Sequence, residues 1–132
     1  MPARFSVPPT YQIKFNRTLH CIEMEWQGYS SDEAFRAGTE RMLSLLIENQ
    51  STRVLADLSN MKLISLRSRE WILQDFLPRA LNAGLRVMAF VRSQDYYNQL
   101  SIGTVVYEID PAQLTVEYFY QRSEAERWLQ EQ

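Results

Sequence analysis

Residues 54–71, VLADLSNMKLISLRSREW, concentrate the side chains that could do chemistry: Asp57, Ser59, Ser65, Ser68, Arg67 and Arg69. A serine just before a helix accepts hydrogen bonds from the unpaired amides of the first turn, and Ser65 stands at that place. A phosphate would suit the same position, because the helix dipole and the guanidinium groups of Arg67 and Arg69 would stabilise it through charge-assisted hydrogen bonds. Ser68 is an alternative cap. Ser59 and Asn60 directly follow an apolar run and have the chemistry of turn residues. Asp57 closes that run at its carboxyl end, the edge where open α/β sheets take ligands. An aspartate there equally accepts the amides of its own turn.

Elsewhere the chemical resources are few. The chain has one histidine and one cysteine, His20 and Cys21. As neighbours on a strand they would point to opposite faces, so they do not begin a metal site, and neither has a partner at a fixed spacing for nucleophilic catalysis. No phosphate-cradling glycine loop or G-x-S-x-G elbow is present. No catalytic residue, metal or cofactor is expected, and the chain does not read as an enzyme. Glu23 and Glu25 share one strand face with Lys14 across a hairpin, the pattern of a solvated sheet face with cross-strand charge pairing. Tyr96, Tyr97, Tyr107, Tyr118, Phe119 and Tyr120 crowd the last third of the chain. Adjacent pairs such as Tyr96 and Tyr97 cannot all face one core, so apolar surface is left over, and a homodimer is the commonest cover for it.

These residues need a frame to hold them. A chain of 132 residues with 45% hydrophobic and 23% charged residues fits one soluble domain spanning residues 1–132. No stretch is long or apolar enough to cross a bilayer, and MPARFSVPPTY at residues 1–11 is not a secretory signal. Together with a single cysteine, this places the chain in the cytoplasm. The net charge of −2, with acids and bases interspersed, excludes general nucleic-acid binding.

YQIKFN and LHCIEMEW alternate with period two and predict an antiparallel hairpin after an irregular arm at residues 1–10. SSDEAFRAGTERMLSLLIENQ predicts a long helix, with Ser30 and Glu33 at capping-box spacing. RVLADL and LRVMAFV are nearly continuous apolar runs, as in strands buried on both faces of a parallel sheet. The helix between them ends at Gly84 and contains Pro78, which bends it. A further helix capped by Ser93, a strand LTVEYFY and a short helix with Ser123 and Glu126 at capping-box spacing complete the chain. The order is ββαβαβαβα, an α/β fold with a mixed, mainly parallel sheet of about five strands, an N-terminal antiparallel hairpin and right-handed crossovers.

Residues 53–129 carry a resemblance to the SpoIIAA-like fold shared by STAS anti-sigma-factor antagonists and by uncharacterised bacterial proteins labelled STAS/SEC14. VLADLSNM, ISLRSREWILQDFLPRAL, LRVMAFVRSQDYY and YFYQRSEAERWL carry it, and it is closest to the uncharacterised branch. In the antagonists the loop after this strand leads into an Asp-Ser-Ser-Gly segment, where serine phosphorylation breaks binding to a partner kinase. The matching positions here read SLRS, Ser65 to Ser68, with Leu66 and Arg67 in the middle and no following glycine. The resemblance implies a non-catalytic regulatory or protein-interaction module presenting the loop and helix start at residues 59–69 to a protein partner. The alternative is a small carrier or sensor of an apolar ligand or lipid, without membrane insertion, whose pocket opens at the strand ends between Trp71, Tyr96 and Tyr97.

Overall fold

The computed structural model describes residues 10–132. Apart from Thr10, the arm expected at residues 1–10 lies outside the described residues. β1 (Tyr11–Asn16) and β2 (Cys21–Gly28) form the antiparallel hairpin, with Tyr11 opposite Trp26 and Asn16 opposite Cys21. β3 (Arg53–Met61), β4 (Val87–Val91) and β5 (Thr115–Phe119) add in parallel, giving the order β1-β2-β3-β4-β5. Every crossover lands on the adjacent strand. Successive crossovers never reverse direction, so the sheet lacks the crevice that a reversal opens in doubly wound folds.

α1 (Asp32–Glu48) links β2 to β3, and α4 (Tyr96–Tyr107) links β4 to β5. Between β3 and β4 runs a composite helix: α2 (Leu66–Trp71), a π-helical turn (Ile72–Phe76) and α3 (Leu77–Asn82). The period of two on β2 sets Ile22, Met24 and Trp26 on one face beside Val54, Ala56 and Leu58. Phe35, Met42 and Leu46 of α1 pack there with Phe76 and Ile102. α5 (Arg122–Gln130) covers the other face, where Ala125 and Leu129 meet Cys21, Leu55, Ala89 and Val91. β3 and β4 are therefore sandwiched between helices, which explains their lack of polar alternation. Leu55 and Leu129 are fully buried, and each such side chain contributes roughly 2 kcal/mol.

Several local expectations are corrected. α1 is capped by Ser31, not Ser30: the Ser31 hydroxyl accepts the Ala34 amide at 3.1 Å. Asp95 rather than Ser93 caps α4, accepting the Asn98 amide at 3.0 Å. Gln121 precedes α5 without a side-chain cap, and Ser123 lies inside the helix. β2 begins at Cys21, because His20 takes a left-handed φ of 52° in the hairpin turn. Pro78 is accommodated by the π turn just before it, where the Leu77 amide reaches back to Ile72. The extra residue in that turn relieves the collision a proline ring makes with the carbonyl four residues earlier. Gly84, at φ 117°, ends α3 as expected: its amide meets the Leu81 carbonyl while the Leu85 amide reaches Ala80.

Candidate functional site

The end of β3 divides the sequence-predicted residues between two sides of the sheet. Glu25 pairs with Asp57 but Gln27 pairs with Asn60, so β3 carries one extra residue there. Such a bulge re-aims the side chains around it. Asp57 points to the α5 side, as Leu55 does two residues earlier. Its Oδ1 accepts the Ser59 amide at 3.0 Å and the Ser59 hydroxyl at 2.6 Å. Asp57 and Ser59 are thus bonded to each other at the bulge inside β3, which also holds Asn60, where the sequence had suggested turn residues after the strand.

Ser65 and Ser68 turn the other way, toward α1. Ser65 caps α2 by accepting the Ser68 amide at 3.0 Å, and its hydroxyl donates to Asp32 Oδ1 at 2.5 Å. The Ser68 hydroxyl donates to the same oxygen at 2.7 Å. One carboxylate at the start of α1 therefore ties down the start of α2. The Ser65 and Ser68 hydroxyls, together with nearby Arg67 and Arg36, hold the Asp32 carboxyl below the usual aspartate range. Arg67 is exposed. Arg69 leaves the serines and donates to Thr104 Oγ1 at 3.2 Å, joining α2 to α4.

α4 and the residues just before it clamp the backbone from the end of β3 to the start of α2. The Ser93 hydroxyl donates to the Met61 carbonyl at 2.7 Å, and the Asn98 amide donates to the Lys62 carbonyl at 2.7 Å. Ser101 Oγ accepts the Ile64 amide at 3.4 Å and donates to the Tyr97 carbonyl at 2.8 Å. All three polar side chains are buried. The sequence reading missed Asn98 and Ser101. Their one signal was spacing, since they share a helix face with Ile102 and Val105 and so occupy core positions. Leu63 and Leu66 face outward, 42% and 61% exposed.

Tyr96 and Tyr97 stand edge to face, with ring centres 5.7 Å apart, and line an open cleft of about 450 Å³. Ser59, Asn60 and Lys62 form its other wall, and a Lys62–Asp95 ion pair at 3.6 Å joins the two sides. Trp71 lies apart from these tyrosines. It packs on Phe35 and Phe76 beneath the Arg36 guanidinium, which is 5.3 Å from its ring centre. Inside the core, the apolar space between Met24, Phe35, Phe76 and Phe90 amounts to about 80 Å³.

A second polar cluster was legible in the sequence only in its cross-strand Lys14–Glu23 pairing. Glu23 is 5% exposed, which corrects the expectation of a solvated strand face. Arg122 reaches over from the start of α5, with Nη2 2.8 Å from Glu23 Oε2 and Nη1 3.4 Å from Asp57 Oδ2. Asn16 donates to the other Glu23 oxygen at 2.6 Å, and Lys14, directly opposite on β1, approaches to 3.6 Å. Burial pushes the Glu23 carboxyl upward, but the Asn16 hydrogen bond and the charges of Arg122 and Lys14 outweigh it, leaving it below the usual range. Cys21 lies on the same face. Burial, with the Glu23 charge added, pushes its thiol up to about 11, so it stays protonated near neutrality.

Among solved structures, the chain is similar to a crystal structure of an uncharacterised DUF3478-family protein from Shewanella loihica PV-4 with a SpoIIAA-like fold. The TM-score is 0.59 at 17% identity, over 90% of this chain and 91% of that one. The fold is SpoIIAA-like. No family model and no curated protein matches the chain.

In this SpoIIAA-like arrangement Ser65 is exposed, Ser59 half-buried and Ser68 2% exposed. A phosphate on Ser65 would bring a charge of about −1.5 to −2 onto the hydroxyl that now donates to Asp32. The α2 dipole and Arg67 would favour that charge, whereas Asp32 would oppose it. The direct outcome is loss of the Ser65–Asp32 bond between two helix starts. His20 and Ser65 lie at opposite ends of the parallel strands β2 and β3, which at ~3.3 Å per residue separates them by roughly 20 Å. Cys21 is at the same far end, beneath α5. Among the described residues, no group of three or more His, Cys, Asp or Glu side chains is placed to hold a metal ion.

Proposed function

We propose that this chain is a non-catalytic regulatory module that binds a protein partner through residues 59–69. The observation that carries the reading is the clamped loop. Buried Ser93, Asn98 and Ser101 hold its backbone at Met61, Lys62 and Ile64, while Leu63 and Leu66 are held out in water. A surface ordered in advance spends little conformational entropy on binding, and exposed apolar anchors are what a partner can desolvate. Arg67 beside them supplies charge for orientation. The distance of His20 and Cys21 from the serines supports the non-catalytic part. The proposal takes the chain as one cytoplasmic domain that does not insert into membranes. No described helix is long and apolar enough to cross one.

The carrier alternative has less support. Ligand pockets take ~300 Å³ or more, and the internal apolar space is about 80 Å³. The cleft at Tyr96 and Tyr97 is open and has an ion pair across it, and the groove of about 680 Å³ between Leu77, Leu81 and Ile109 is open as well.

A photo-reactive residue at position 66, introduced in the protein's own cells, should cross-link to one discrete partner. With that partner purified, replacing Leu63 and Leu66 by Asp should weaken binding at least roughly ten-fold without lowering Tm. A partner bound as tightly by the doubly substituted chain would overturn the reading. Intact mass of the native protein tests the alternatives in the same sample: a non-covalent mass lost on denaturation would establish the carrier instead, and a phosphate on Ser65 would establish the switch.

A further inference from the structure

Among the described helices, α4 alone carries no charged side chain: its sequence is YYNQLSIGTVVY. Asn98, Ser101, Ile102 and Val105 form its buried face. On the opposite face Tyr96, Leu100, Gly103 and Tyr107 follow one another at steps of four, three and four, which aligns them in a single stripe. Tyr96 is 65% exposed, Leu100 47% and Tyr107 86%. A helix lying on the surface of its own fold ordinarily carries charge on its outer face. This one presents rings, a leucine and a gap.

The geometry points to a second copy of this chain as the occupant, with two α4 helices packed antiparallel across a two-fold axis. The spacing of the stripe is symmetric about the midpoint between Ser101 and Ile102. Reversing one helix on the other sets Leu100 of each copy against Gly103 of its partner and Tyr96 against Tyr107. Nothing lies within 4 Å of where a Gly103 side chain would begin, so the gap is open to receive a leucine. A two-fold contact is self-complementary in this way by construction.

Charge and area agree with that occupant. Each copy carries a net charge of −2, and the stripe itself holds no ionised side chain, with Arg69 reaching only its edge at Thr104. At ~200 Å² per ring, the exposed parts of Tyr96 and Tyr107 supply about 300 Å². That is more than a third of the ~800 Å² per partner of a standard interface before Leu100 and the polar flanks are added. The inference does not rest on the partner reading, because the stripe lies on α4 and residues 59–69 lie beside it.

Light scattering at high micromolar concentration should give twice the chain mass of 15.6 kDa. Gly103→Glu and Gly103→Lys each place like charges beside the axis. Each should raise the dimer dissociation constant roughly a hundred-fold and run as a monomer. An equimolar mixture of the two should dimerise again, which a misfolded variant could not do. A monomeric wild type would overturn the inference and leave the stripe to a different protein. A dimer whose mass survives both substitutions, or a mixture that stays monomeric, would overturn it as well.

Discussion

Asp32 and Asp57 both lie near the carboxyl end of the sheet, but they are stabilised by different means. Asp32 stands at the rim and is held by two serine hydroxyls, one buried and one exposed. Asp57 is 8% exposed beneath α5 and is held by the Ser59 amide and hydroxyl and by the Arg122 guanidinium, which also serves Glu23. The first cluster joins two helix starts with neutral donors and can be loosened from outside. The second ties α5 to two strands with opposite charges out of water. A site meant to be read by a partner is better built the first way, and a structural fastening the second.

The largest effect should come from Arg122→Met, which leaves two carboxylates facing each other with their shared counter-charge removed. Breaking a buried pair from one side costs roughly 3–5 kcal/mol, and because 31% of the Arg122 side chain is exposed, about 2 kcal/mol is expected in urea unfolding. The same variant should speed labelling of the Cys21 thiol by roughly 30-fold, since that thiol lies under α5 and is exposed by the same opening. Unchanged stability would show the cluster to be ornamental.

Ser65→Ala should cost less, about 1 kcal/mol for a lost helix cap. Ser65→Asp keeps a capping oxygen but sets it against Asp32, so it should do no better than alanine. Adding Asp32→Asn should then restore the difference, and its failure to do so would remove the repulsion on which the phosphate reading depends.

The smallest effect, and the one that separates the two clusters, is in pH. Asp32 and Glu23 are both held below their ordinary values, so their contributions are complete above the unfolded-state range of ~4 and are lost as pH falls through the folded values. The wild type should therefore weaken on acidification. Once Glu23 is protonated it needs no counter-charge, so the loss caused by Arg122→Met should shrink as pH falls through the folded Glu23 value. The Ser65→Ala loss should shrink only in part, because protonation weakens the Ser65 bond to Asp32 whereas the bond to the Ser68 amide involves no titrating group. Equal pH dependence in the two variants would erase the distinction drawn here.

The order of elements was legible because each signal is local. Period two in Ile22, Met24 and Trp26, the apolar runs of β3 and β4, the cap at Ser65 and the glycine at Gly84 act over a few residues of chain, and all reappear in the structure. Candidate-site residues were legible as types but not as neighbours. Ser65 and Ser68 were read against Arg67 and Arg69, whereas they meet Asp32 from another helix and Arg69 turns to Thr104.

By itself the sequence determined which segments are strands and helices and which side chains share a strand face. Only the tertiary structure decided what covers each face. Glu23 had the alternation of a wetted strand and became buried because α5 brings Arg122 back across the sheet from the far end of the chain. Asp57 and Ser65 parted to opposite sides because a one-residue bulge and the turn after it set their directions. Strand order and the outward stripe of α4 belong to the same class. Periodicity fixes a side chain's direction relative to its own backbone, whereas its neighbours depend on contacts between segments far apart in sequence.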